Sequence, residues 1–263
     1  MKNFHVVDSA SHAYDFVWSH KAIIARYAVI PFLVKIGCLA LIILMGLSDN
    51  HLRQGLLLLP AHFTEGWFTL GIVMLCMKNI QNRSSKIALL PAQTGHLSQQ
   101  QRLHGSIALY VLIQIVFALI VHALTTYTPL TAQAQGAPTS PKQFVLMLAL
   151  LAATVWAFRF TLIHIPVAMG YGLRRYIRVF HSYNASLRMI GLTMLCTIPA
   201  ALVMIIMISF IGNALDVTAM NESLAALIFG TLQTATQMIV LALTATAMTY
   251  AFYPHLSGKI TFP

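Results

Sequence analysis

Carboxylates are nearly missing from this chain. Six Asp and Glu occur in 263 residues, and charged side chains of both signs make up only 8% of the sequence. A soluble domain carries about 25%, so too few charges are present to cover a water-facing surface. The same scarcity leaves no paired-Asp loop for a divalent cation, and GxGxxG turns, P-loops and GxSxG elbows are absent. These absences count against a hydrolase or an ATPase. Cysteine is equally sparse. Cys38, Cys76 and Cys196 lie inside apolar blocks with no CxxC or Cys/His spacing of a structural zinc site. They read as small apolar side chains in helix contacts. Alternating segments of about 10 residues, the mark of a membrane β-barrel, are missing too.

What is there is hydrocarbon, 58% of the residues. It falls in blocks of roughly 20, the length that crosses a ~30 Å apolar core at 1.5 Å per residue. The expected fold is all-α: a single polytopic membrane domain, 1–263, with six transmembrane helices near 27–47, 57–77, 105–125, 143–163, 189–211 and 224–250. No cleavable leader is expected, because Asp8 and Asp15 precede the first apolar run and no small-x-small cleavage site follows it.

Orientation follows from the cations. With the N-terminus inside, twelve of the 16 Lys and Arg fall on the inner side and only Arg53 and Lys142 fall opposite, while Lys35 and Arg159 lie within spans. Such a bias on short loops predicts a bacterial inner-membrane protein with both termini cytoplasmic. The net charge of +10 is then a topology signal with attraction to anionic headgroups, and nucleic acid need not be invoked. Two segments, 11–26 and 174–188, read as interfacial amphipathic helices on the cytoplasmic side. In RRYIRVFHSYNASLR, the residues Tyr176, Val179, Phe180, Tyr183 and Leu187 share one side, and Arg174, Arg175, Arg178 and Arg188 the other. The alternative is a cytoplasmic extension packed on its own bundle. In 11–26, Phe16 and Lys21 spoil the faces.

Polar groups inside the spans carry the candidate chemistry. Glu65 lies about a third of the way along its span from the outer face, where an unpaired charge costs roughly 2.5–3.5 kcal/mol by insertion scales. Lys35, in the adjacent span, differs from it in depth by only about 6 Å. A direct or water-mediated Lys35–Glu65 pair is expected, either as a helix-pairing ion pair or as a proton or ion relay. His62 and Glu65 share a helix face. With His51 and His122 they form a conceivable metal set, but no HExxH and no second carboxylate supports it, and no cofactor is expected. Arg159 reads as an interfacial cation whose guanidinium rises to the headgroup level, or as a lipid-phosphate clamp. Pro31, Pro60, Pro166 and Pro199 should kink or end helices.

From TVWAFRFTLIHIPVAMG through RRYIRVFHSYNASLRMIGLTMLCTIPAAL, residues 154 to 202, the chain resembles uncharacterised bacterial six-helix membrane proteins. These are similar in layout to the membrane domains that accompany some glycerophosphodiester phosphodiesterases. Arg159, Pro166, Gly170, the basic aromatic linker, Arg188 and Pro199 carry the resemblance, over about the C-terminal two fifths. It implies a fold and no catalytic residue. The functional expectation is a non-enzymatic accessory or scaffold protein in contact with lipids, with other membrane subunits as further partners. Alternatives are a permease or channel for a small solute or lipid, which a polar cavity lined by Glu65, Lys35 and glutamines such as Gln114 and Gln237 would support, and a membrane-embedded metal-dependent enzyme.

Overall fold

A computed structural model describes residues 5–47, 50–85, 97–127, 141–214 and 221–257. Ten helices and no strands are found among them: α1 (Val6–Ser19), α2 (Lys21–Leu44), α3 (His51–Leu57), α4 (Leu59–Ser85), α5 (Gln99–Tyr127), α6 (Pro141–Thr161), α7 (His164–Ala168), α8 (Leu173–Val179), α9 (Tyr183–Ala214) and α10 (Glu222–Ser257). Five stretches are long and apolar enough to cross a membrane, or six when α3 and α4 count as one broken span. Leu44, Phe210 and Ile206 are among many large apolar side chains left exposed on the outside of the bundle. In water that surface would aggregate; in a bilayer it is the solvated face. The protein is an all-α polytopic membrane protein.

Helix ends follow local chemistry, and they shift the expected boundaries. The first span starts at Lys21 instead of residue 27, and it stops at Gly46. There Gly46 N–H bonds to Ile43 O (3.1 Å) and Leu47 N–H to Ile42 O (3.1 Å), with Gly46 at φ +61°, a Schellman stop. The second span is longer than expected and bends by 54° between α3 and α4. Pro60 sits just inside α4, where its missing N–H costs nothing. A reciprocal capping box opens α5: Ser98 Oγ accepts from Gln101 N–H (3.3 Å), and Gln101 Oε1 accepts from Ser98 N–H (3.0 Å). Ahead of Pro166 the chain breaks between α6 and α7. Gly170, at φ +92°, then ends α7 with a second Schellman pair, Tyr171 N–H to Pro166 O and Gly170 N–H to Val167 O, both 2.9 Å.

Both expected amphipathic segments are corrected. The stretch 11–26 is not one helix, because α1 ends at Ser19 and α2 begins at Lys21. Phe16 does not spoil a face; with Ser9, Ala10 and Ala13 it forms the buried stripe of α1. The stretch 174–188 is also interrupted. Helix α8 stops at Val179, and the NASLR residues belong to α9. Tyr176 and Phe180 pack inward on Phe252, with ring centroids 5.6 and 4.8 Å away, so the aromatic side faces the protein core. Tyr183 and Leu187 are exposed.

Helix α10 is the hub, packing on α9, α1, α2 and α4, while α4 also packs on α5 and α2. At one end of the bundle His12 of α1 stacks on Tyr250 of α10 at 5.3 Å, bringing the first and last helices together. Tyr14 fastens α1 further by donating to Leu195 O at 2.9 Å. That carbonyl lies four residues before Pro199, which has no N–H to give it. A tyrosine from another helix supplies the bond that the proline removes.

Candidate functional site

Six polar side chains converge where four helices cross. Lys35 from α2 donates to Glu65 Oε1 of α4 at 2.5 Å and to Gln237 Oε1 of α10 at 2.5 Å. Gln237 Nε2 reaches the same carboxylate oxygen at 3.4 Å. The other oxygen, Oε2, accepts from His62 Nδ1 and from the Tyr110 hydroxyl of α5, both at 3.1 Å. Gln114 lies one turn beyond Tyr110 on the same side of α5. An ionised carboxylate only accepts, so the proton of a neutral His62 ring must sit on Nδ1. Glu65 has no exposed surface, and Lys35 is 8% exposed.

Lys35, Glu65, Tyr110 and Gln237 lie within about three residues of their spans' midpoints, ~4 Å along the axis, with His62 and Gln114 somewhat further out. Glu65 is therefore deeper than the sequence alone suggests. The reason is the first two turns of its span: the seven residues of α3 add length before Pro60, which recentres the carboxylate. Four donors on one carboxylate, from four helices, offset the desolvation that an isolated charge would suffer at this depth.

Small residues set the geometry. A Cβ on Gly66, the neighbour of Glu65, would lie 3.2 Å from Tyr110 Cβ and 3.3 Å from its ring. Glycine there lets α5 approach α4 closely enough for the phenol to reach Oε2, the usual device of membrane helix pairs. Behind Tyr110 the buried His164 ring stands edge-on at 5.1 Å, with its backbone carbonyl accepting from Ser106 Oγ at 3.0 Å.

Of the conceivable metal set, His62 and Glu65 meet, whereas His51 is exposed on α3 and His122 lies far along α5. No group of three His, Cys, Asp or Glu suited to a metal ion occurs among the described residues. Lys35, Glu65, His62 and Tyr110 can hold or share a proton, whereas the amides of Gln114 and Gln237 can only hydrogen-bond.

Arg159 is corrected more sharply. It is 4% exposed, and its Nη1 donates to Phe180 O (3.0 Å) and His181 O (2.6 Å). Its guanidinium also lies 4.2 Å from the Trp156 ring centroid. Tyr176 returns a bond to Arg159 O at 2.8 Å. Burial pushes the Tyr176 phenol well above its ordinary range, with Arg159 pulling the other way. This arginine locks the turn between α8 and α9 to the end of α6, instead of reaching for a headgroup. Arg174 and Arg178 are exposed, Arg175 is half-buried 5.4 Å from the Tyr171 ring centroid, and Arg188 is half-buried on α9.

Tyr110 is the member that sequence reasoning missed. Its ring scores as apolar, and only its spacing one turn from Gln114, on a span with few other polar groups, could have flagged it. No family model, curated protein or solved structure matches this chain.

Proposed function

We propose that the chain is a non-enzymatic accessory or scaffold protein of the bacterial inner membrane, in contact with anionic lipids. Its Lys35–Glu65 cluster serves as a clamp that fixes α2, α4, α5 and α10 in one arrangement. The carrying observation is the sealed carboxylate: Glu65 is fully buried and both oxygens are engaged by Lys35, Gln237, His62 and Tyr110. A buried, fully bonded pair of this kind is best attested as a device that specifies one packing. The twelve-to-two cation bias supports cytoplasmic termini, and the packing of α1 on α10 is compatible with a shared side.

A second reading, a proton-coupled permease, is favoured by one observation. Gln114 and Gln237 join Lys35, Glu65 and His62 at mid-membrane, directly after the broken span. Proteoliposomes carrying an internal pH dye separate the two. Under an acid jump the clamp reading expects the same background leak from wild type and Glu65→Gln. A wild-type proton flux that Glu65→Gln abolishes transfers the cluster to the permease reading.

A further inference from the structure

We infer that a groove between α2 and α10 holds one acyl chain of an anionic phospholipid, with the headgroup at Lys21. This deepens the lipid-contact part of the proposed function and rests on it. The groove opens sideways from the bundle, offers about 360 Å³ and has an almost wholly apolar lining. Ile24, Phe68, Met238 and Ala242 form a buried floor, and exposed Val29 and Ile239 form the rims. Ala25, Ala28 and Ala235 leave the space that larger side chains would fill.

Length, width and charge together select the occupant. The groove runs along α2 from Lys21 to Phe32, eleven residues or ~16 Å. That is about half of a ~30 Å hydrocarbon core, the depth of one leaflet. Spread over that length, the free volume leaves a section roughly 5–8 Å across, whereas a helix with its side chains needs 10–12 Å. A single alkyl chain fits and a partner helix does not. At the mouth, the Lys21 ammonium lies 4.2 Å from the Trp18 ring centroid, where α1 meets α2. Lysine beside tryptophan is the pairing found at the headgroup level, and a cation there attracts an anionic lipid. The deep end closes against Phe32 and Phe68, one turn short of Lys35. An alkyl end can enter that dry region without an unpaired polar group.

The test uses the full chain reconstituted in nanodiscs of equimolar phosphatidylglycerol and phosphatidylethanolamine with identical acyl chains. The protein is then moved into mild detergent and weighed by native mass spectrometry. One retained phospholipid is expected, with phosphatidylglycerol favoured about fivefold, the factor that one basic residue supplies near a membrane surface. Lys21→Gln should keep one lipid and lose the preference. Ala25→Phe, on an exposed rim, should expel the lipid at an unchanged melting temperature, and Ala235→Leu repeats the test from the opposite wall. Equal retention of both lipids by the wild type, or retention that survives both filling variants, overturns the assignment. Glu65→Gln should leave lipid retention untouched, so the groove and the clamp fail separately.

Discussion

Removing the charges of the Lys35–Glu65 pair one at a time and then together gives the sharpest test of the clamp. Glu65→Leu leaves the Lys35 ammonium with Gln237 Oε1 as its remaining acceptor among the contacts described above, in a site 8% exposed. Breaking a buried pair in this way costs about 3–5 kcal/mol. Lys35→Met should cost less, about 2–3 kcal/mol, because His62, Tyr110 and Gln237 still donate to the carboxylate. The double variant Lys35→Met/Glu65→Leu removes both charges and refills the space with hydrocarbon. It should recover about 2 kcal/mol of the Glu65→Leu loss, because no ammonium is left stranded, while Tyr110, His62 and Gln237 still lack the carboxylate they donate to. For a chain of this size each kcal/mol moves the melting temperature by about 2–4 °C. Thermal unfolding in a mild detergent should therefore show Glu65→Leu lower by roughly 8 °C or more, with about 4 °C or more of that loss recovered in the double variant. Single effects that add to within about 0.5 kcal/mol would mean that the groups are not coupled, and the clamp would be refuted.

Three further outcomes follow from the same structure. Gly66→Val should push Tyr110 off Glu65 and cost about 2 kcal/mol, and Tyr110→Phe should then add nothing in the same melting assay. Tyr14→Phe should cost about 1 kcal/mol by orphaning the Leu195 carbonyl. In a Pro199→Ala background it should be nearly silent, because the restored N–H can take that carbonyl; an undiminished effect there argues against the proline-vacated bond. Gly170→Ala forces φ +92° on a residue with a Cβ and sets that carbon 2.5 Å from the Arg102 guanidinium. A cost of at least about 1–3 kcal/mol is expected, seen as a lower melting temperature that does not depend on lipid headgroup.

Much of this architecture was legible in the chain. Apolar blocks of span length are a local signal, and they mark the spans to within several residues. The second span was harder. Pro60 announces a disturbance, yet its size depends on how α3 seats against α5, where a Cβ on Gly55 would lie 3.2 Å from Ala118 Cβ. Lys35 and Glu65 stood out because charge is rare in these blocks, and Gln114 and Gln237 because amides are. Tyr110 did not, since a phenol reads as hydrocarbon until a carboxylate is found beside it. Arg159 misled for the opposite reason. A cation near a span end ordinarily reaches for headgroups, but here the carbonyls of Phe180 and His181 are closer.

By itself, then, the sequence determined the solvent and the approximate spans, because transfer of side chains between water and hydrocarbon is nearly additive along the chain. Which polar groups meet was decided only by the tertiary structure. Lys35 and Gln237 are 202 positions apart, and no local pattern encodes their bond. It forms because four helices pack at a common depth, where a buried charge must find partners from whichever neighbours the packing supplies.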